Sequence, residues 1–135
     1  MTNSSSLYGV QMSLRRDCGA TGGHALVIED EILIALEIET LLEDLGYNSF
    51  DIATSPREAV ALAKARRPDL ITADIRINEG TGLEAVDAIH AVRGQIPVVF
   101  VTGNPDMLQG LIDPIHVDKP ISALALRAAC LKALG

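Results

Sequence analysis

From residue 24 onward, short apolar runs alternate with stretches whose apolar positions recur every three or four residues. The first run, Ala25-Leu26-Val27-Ile28, is apolar at every position, as a strand covered on both faces requires, and it stops abruptly at Glu29-Asp30-Glu31. Ile34, Ile38, Leu41, Leu42 and Leu45 then fall at i, i+4, i+7, i+8 and i+11, which predicts a helix that buries one stripe and ends near Gly46. Leu33 and Leu36 lie beside that stripe and read as packing residues, with a partner-docking surface as the alternative.

A weaker strand over residues 49–53 leads to Ser55-Pro56-Arg57-Glu58. There Ser can cap a helix, Pro suits its first turn and Glu can complete a capping box. This second helix should bury Ala59, Leu62 and Ala63 and stop before Pro68, because the residue preceding proline disfavours helical angles. Leu70-Ile71-Thr72-Ala73 makes a third strand ending at Asp74, and a Gly-containing loop over 78–82 precedes a helix through Leu83, Val86 and Ile89. A fourth strand over 97–101 ends at Thr102. A short, Pro- and Gly-punctuated helix near 106–109, a fifth strand over 114–117 and a closing helix over 122–134 complete the pattern. Strands alternating with helices imply right-handed crossovers and one parallel sheet, an α/β fold.

Residues 1–23 show no sustained apolar period and carry Ser and Gly clusters, so they read as a flexible arm ahead of one folded unit, 24–135. Aromatics make up 3% of the chain and Trp is absent, which suits a core of Ala, Val, Ile and Leu. The net charge of −7 argues against binding to a nucleic-acid backbone, and no apolar run has the length of a membrane span, so a cytoplasmic protein is expected. Cys18 and Cys130 have neither metal-ligand spacing nor the density of a disulfide scaffold and read as thiols.

In an open parallel sheet, ligands bind outside the carboxyl ends of the strands, where strand order reverses. Those ends carry Glu29 and Asp30 after the first strand, Asp74 after the third, Thr102 after the fourth and Lys119 after the fifth. Carboxylates gathered there repel one another unless a cation joins them, and Mg2+ is the hard ion that oxygen donors of this type hold. Asp30 and Asp74 are candidate direct ligands and Glu29 one acting through water. Lys119 supplies a compact positive charge and Thr102 a hydroxyl, the parts that orient and neutralise a transferring phosphoryl group. Taken singly, the acids could be helix N-terminal charges, Asp74 a turn residue and Lys119 a solvated lysine. Their common position on one rim is what outweighs those readings.

With Val27-Ile28-Glu29-Asp30-Glu31, Ala73-Asp74-Ile75, Gly82-Leu83-Glu84, Val101-Thr102-Gly103 and Asp118-Lys119-Pro120, residues 24–135 resemble the response-regulator receiver family of two-component systems. The stretches 33–47 and 73–89 are also similar to receivers of the alphaproteobacterial general stress response. The resemblance implies a flavodoxin-like (βα)5 doubly wound sheet of order 2-1-3-4-5. It further implies phosphorylation of Asp74, Mg2+ at Asp30, Asp74 and the Arg76 carbonyl, and a cis peptide between Lys119 and Pro120. Arg76 and Asn104 take positions that tune the phosphoryl lifetime. In the family a switch couples Thr102 to an aromatic on the fifth strand. Here that residue is His116, whose imidazole could add pH sensitivity. The segment between Thr102 and Lys119 is short, so the fourth helix should be reduced or irregular.

The expected function is that of a phosphoacceptor in a phosphorelay, with no enzyme activity beyond its own aspartyl phosphorylation and dephosphorylation. Its expected partners are a sensor histidine kinase or histidine phosphotransfer protein and a downstream protein target. With no output domain after the closing helix in this sequence, output is expected to run through protein contact. Leu126 and Cys130 on the closing helix read either as core or as part of a dimer face formed by the fourth helix, fifth strand and closing helix, the surface through which related receivers self-associate. The alternatives are a pseudo-receiver that binds partners without phosphorylation and a receiver fragment of a longer regulator. A flavodoxin-like phosphatase or nucleotide binder is disfavoured, because the first loop here is acidic and not the Gly-rich loop that would cradle phosphate.

Overall fold

The apolar run at the start of the pattern is buried at every position and forms β1 (His24–Ile28). In this computed structural model, which describes residues 22–135, it is followed by α1 (Ile32–Asp44), β2 (Ser49–Ala53), α2 (Pro56–Ala65) and β3 (Leu70–Ala73). A small antiparallel pair, β4 (Arg76–Ile77) and β5 (Gly80–Thr81), leads into α3 (Gly82–Arg93) and β6 (Val98–Thr102). A 3-10 turn at Pro105–Leu108, β7 (His116–Asp118) and α4 (Ala123–Leu134) close the chain. The expected arm lies outside the described residues apart from Gly22 and Gly23, as does Cys18.

The sheet runs β2-β1-β3-β6-β7 with every contact parallel, which is the 2-1-3-4-5 order once the small pair is set aside. Alternate residues of β1 feed two cores. Ala25 and Val27 pack with Ile38 and Leu42 of α1 and Leu126 of α4, whereas Leu26 and Ile28 pack with Ala59 and Ala63 of α2 and Ile89 of α3. Because both faces are covered, the strand can be apolar throughout. The direction of winding changes between β1 and β3, so their carboxyl ends flank the crevice at the switch point.

Several local expectations change. Leu33 and Leu36 are 78% and 46% exposed and do not pack, whereas Leu126 and Cys130 take the first of their two readings and are buried in the core. Leu62 is only partly buried. The loop expected at 78–82 carries β5, which pairs back on β4 just ahead of it, while the fourth helix is reduced as expected, to a single 3-10 turn. The last strand begins two residues later than expected. Ser55 caps α2 by accepting from the Glu58 N–H at 3.2 Å, but the Glu58 carboxylate takes the Thr54 N–H at 2.7 Å instead of closing a box on Ser55. The reciprocal box forms at α3, where Thr81 Oγ1 accepts from the Glu84 N–H at 3.1 Å and Glu84 Oε1 accepts from the Thr81 N–H at 2.9 Å.

Candidate functional site

The strand ends are tied together before any side chain is considered. The Asp74 N–H donates to the Ile28 carbonyl at 2.9 Å, the Glu29 N–H to Ala53 at 2.9 Å and the Lys119 N–H to Thr102 at 3.1 Å. Each bond extends a parallel ladder by one step and fixes the polar residue that follows the strand. Asp74 is then held further: its Oδ1 accepts from the Ile75 N–H at 2.7 Å, and its Oδ2 accepts from Lys119 Nζ at 2.8 Å. The Lys119–Pro120 peptide is cis.

Lys119 is the electrostatic centre. Its ammonium lies 2.9 Å from Glu29 Oε1 and 3.7 Å from Glu31 Oε1 in addition to Asp74. Glu29 is almost fully buried, and burial pushes its carboxyl above the ordinary glutamate value, against the lowering effect of Lys119 and of the Glu31 N–H that bonds its Oε2. Burial also disfavours the Lys119 charge, but its bonds to Asp74 and Glu29 outweigh that and hold its pKa above the ordinary lysine value.

A cleft of about 410 Å³ opens above these groups, lined by Asp30, Glu31, Asp74, Arg76, Gly103, Asn104 and Lys119. Thr102 is fully buried and does not itself line the cleft, but it precedes the lining residue Gly103, and its Oγ1 accepts from the Asn104 N–H at 2.9 Å. Arg76 turns its Nε toward Met107 Sδ at 3.4 Å, tying the cleft to the 3-10 turn. His116 stands apart: it pairs in register with Phe100, is exposed, and has its Nε2 3.5 Å from Asp118 Oδ1. Asp118, not His116, is level with Thr102.

Two site residues escaped the sequence reading. Glu31, the N-cap of α1, brings its carboxylate into the group formed by Glu29 and Asp74, all with an oxygen within 4.8 Å of one another, whereas Asp30 lines the cleft without joining that trio. Gly82 backs the phosphoacceptor candidate, since a β carbon there would stand 1.9 Å from the Asp74 carbonyl oxygen. Adjacent acids on a bend point different ways, and no pattern of residue types reveals which one returns to the cleft.

The donor set suits Mg2+. Oxygens on opposite sides of an octahedral Mg2+ are about 4.2 Å apart, so carboxylates this close need only small shifts to share one ion. All three are hard oxygen donors.

The family model for the response regulator receiver domain matches residues 25–129. The chain belongs to the response-regulator receiver family. Among curated relatives it is 43% identical over 83 residues to the phyllosphere-induced regulator PhyR of Methylorubrum extorquens, covering 60% of this chain and 31% of that protein. It is 30% identical over 117 residues to the acid tolerance regulatory protein ActR of Rhizobium meliloti, covering 82% of this chain and 59% of that protein. The receiver chain therefore spans less than two thirds of these relatives' lengths. The solved response regulator PhyR from Brucella abortus superposes with a TM-score of 0.77 at 30% identity, over 98% of this chain and 56% of that one. A sensor-kinase receiver domain from Pseudomonas aeruginosa, which holds a magnesium ion in its active-site cleft, matches with a TM-score of 0.74 at 26% identity, over 85% of this chain and 99% of that one.

Proposed function

We propose that Asp74 is the phosphoacceptor of this receiver. A carboxylate oxygen of Asp74 attacks phosphorus, forming the P–O bond as the P–N bond to a donor's phosphohistidine breaks, and the imidazole leaves with the electron pair. Lys119, now 2.8 Å from Asp74 Oδ2, is positioned to move onto a phosphoryl oxygen, and this contact is the observation that carries the reading. Thr102, buried beneath the lining residues Gly103 and Asn104 and bonded to the Asn104 N–H, supplies a hydroxyl for a second oxygen in this reading. Glu29, Asp30, Asp74 and the Arg76 carbonyl are the ligands we assign to Mg2+, with Glu31 as a further carboxylate. When bound, the ion offsets carboxylate charge and polarises the phosphoryl group. Arg76 and Asn104, at the cleft wall, tune access of water to the acyl phosphate.

The donor is a sensor histidine kinase or a histidine phosphotransfer protein in the cytoplasm. Ile32, Leu33 and Leu36 leave an exposed apolar face on α1, starting one residue after Glu31, where such a donor docks beside the cleft. No helix of the described residues is long and apolar enough to cross a membrane. Output is protein contact, through a surface that responds to Thr102 and, in this reading, to His116. An unchanged spectral response to phosphorylation in a His116→Ala variant removes His116 from that switch.

Incubation with Mg2+ and a small phosphodonor, followed by intact-mass measurement, tests the assignment. Wild type should gain one phosphoryl group and Asp74→Asn none. No gain in wild type, even with its kinase, would leave a pseudo-receiver that works by binding alone.

A further inference from the structure

The outer faces of α1 and α2 carry opposite charges at one spacing. The charges of α1 are Glu37, Glu39, Glu43 and Asp44, with no base among them. Glu37, Thr40 and Asp44 stand at steps of three and four on one exposed side, with Leu36 beside them. On α2, Arg57, Val60, Ala61 and Lys64 follow at the same steps and, with Pro56, line a shallow groove of about 470 Å³. The one acid of that helix, Glu58, is turned back onto Thr54, so this side of α2 carries cations alone. Among the described residues, no ion pair engages Glu37, Asp44, Arg57 or Lys64.

The two patterns match in length as well as in sign. Glu37 and Asp44 are seven residues apart, as are Arg57 and Lys64, so each pair spans two turns, about 10.5 Å, along one side of its helix. Laid antiparallel in one register, the helices bring Glu37 to Lys64 and Asp44 to Arg57, with Thr40 over Val60 and Ala61. Thr40 Oγ1 already donates to the Leu36 carbonyl at 3.0 Å, so covering it strands no donor. Leu36 falls beside the methylene stem of Lys64. The antiparallel direction also sets the acidic C-terminus of α1, the negative end of its macrodipole, against the positive N-terminus of α2.

These faces cannot meet within one molecule. Ala35, Ile38 and Leu42 pack α1 onto one side of the sheet, and Ala59 and Ala63 pack α2 onto the other, so the outer faces point in opposite directions. We propose that they meet between molecules, α1 of one chain docking antiparallel in the α2 groove of a second copy. Each chain offers one acidic and one basic face, so the contact is heterologous and copies add head to tail. A single helix-on-helix contact is smaller than the standard interface of about 1,600 Å², so the association is weak, grows with concentration and is screened by salt. A donor docked on Leu33 and Leu36 excludes a second copy from α1; that consequence rests on the phosphoacceptor reading, but the contact itself does not.

The test is sedimentation equilibrium of the whole chain at low salt, without phosphodonor. The weight-average mass should climb past that of two chains at millimolar concentration and fall toward one chain in high salt. Arg57→Glu/Lys64→Glu makes both faces acidic, and Glu37→Lys/Glu43→Lys/Asp44→Lys makes both basic. Each variant alone should stay monomeric, and an equimolar mixture should regain the wild-type mass, which also shows that both variants fold. A wild type that stays monomeric hands the groove to some other acidic partner and overturns the proposal. So do association unaltered by either reversal, a mixture that stays monomeric, or a plateau at two chains, the mark of a closed dimer. Register is read by oxidising a Thr40→Cys chain with an Ala61→Cys chain, both carrying Cys18→Ser, Cys130 being buried. Mixed disulfides should dominate, and a statistical spread of like and mixed pairs would overturn the register. Intact-mass labelling of the same variants with a small phosphodonor separates failure of this contact from failure of the Asp74 assignment.

Discussion

Gly82 presses directly on the backbone of Asp74. Any β carbon at position 82 would come within 1.9 Å of the Asp74 carbonyl oxygen, and the Gly82 N–H is already engaged by the Ile75 carbonyl at 2.8 Å. The first residue of α3 therefore sets how far the phosphoacceptor candidate projects from its strand. Gly82→Ala should destabilise the fold by about 1–3 kcal/mol, the range for overpacking a filled site, and should slow phosphodonor labelling of Asp74. Urea unfolding measures the first and intact mass the second; a variant with wild-type stability and labelling would show that the contact relaxes freely.

The ionic centre makes a prediction about alkaline pH. The Lys119 pKa is raised, so the folded protein holds that proton more tightly than the unfolded chain. The stability it contributes is fully present below the unfolded value of about 10.4 and is lost as pH rises through the higher folded value. Lys119→Met should therefore flatten the alkaline limb of the stability curve, followed as the urea midpoint against pH. A limb as steep as that of wild type would place the titrating group elsewhere.

Glu29 gives a second limb. Its raised pKa contributes stability that is complete below the ordinary glutamate value of about 4.3 and disappears as pH rises through the folded value, because ionising a buried carboxyl is costly. Glu29→Gln should lose that decline. It should also weaken cation binding, since the amide cannot supply the charge. Stability curves with and without Mg2+ separate the two effects.

Glu31 should be felt mainly by the cation. Its carboxylate is 69% exposed and 3.7 Å from Lys119 Nζ, so Glu31→Gln should leave folding nearly unchanged. Removing one charge about 4 Å from a divalent ion on the solvent side costs about 2 kcal/mol at the dielectric of water and should weaken Mg2+ binding roughly thirtyfold at low salt. Calorimetric titration with Mg2+ and with Mn2+ measures this, and equal affinity in the variant would exclude Glu31 from the ion's surroundings.

A change far from the cleft serves as a control. Ser55 Oγ accepts from the Glu58 N–H at the start of α2, and Ser55→Ala should cost about 1 kcal/mol of stability without altering labelling at Asp74. Reduced labelling there would mean that α2 is coupled to the cleft.

The sheet was legible because β1, β3 and β6 must be apolar on both faces, and few other elements produce such runs between acids and turn residues. The stripe of α1 was equally plain, but periodicity could not decide Leu33 and Leu36, since an apolar residue beside a stripe can extend it or face solvent. The β4–β5 pair left no trace, as strands of two residues have no period. At α2 the capping reading missed that Thr54 and Ser55 compete for one carboxylate. Among the site residues, Glu29, Asp30, Asp74, Thr102 and Lys119 could be named from their places after strands. Glu31 could not, because its direction follows from the extended bend at the N-cap, with φ −93 and ψ 108, and not from its neighbours in sequence.

Lys119 serves Glu29, Glu31 and Asp74 at once, so with all three ionised the rim is short of neutrality by two positive charges. A divalent ion closes that gap; sodium or potassium leaves it half open, and a lanthanide overshoots it. The rim is thus set to sort ions by valence before coordination geometry comes into play, and a resting molecule deprived of its ion should draw its lysine deeper among the acids, away from the position in which it could greet an incoming anion.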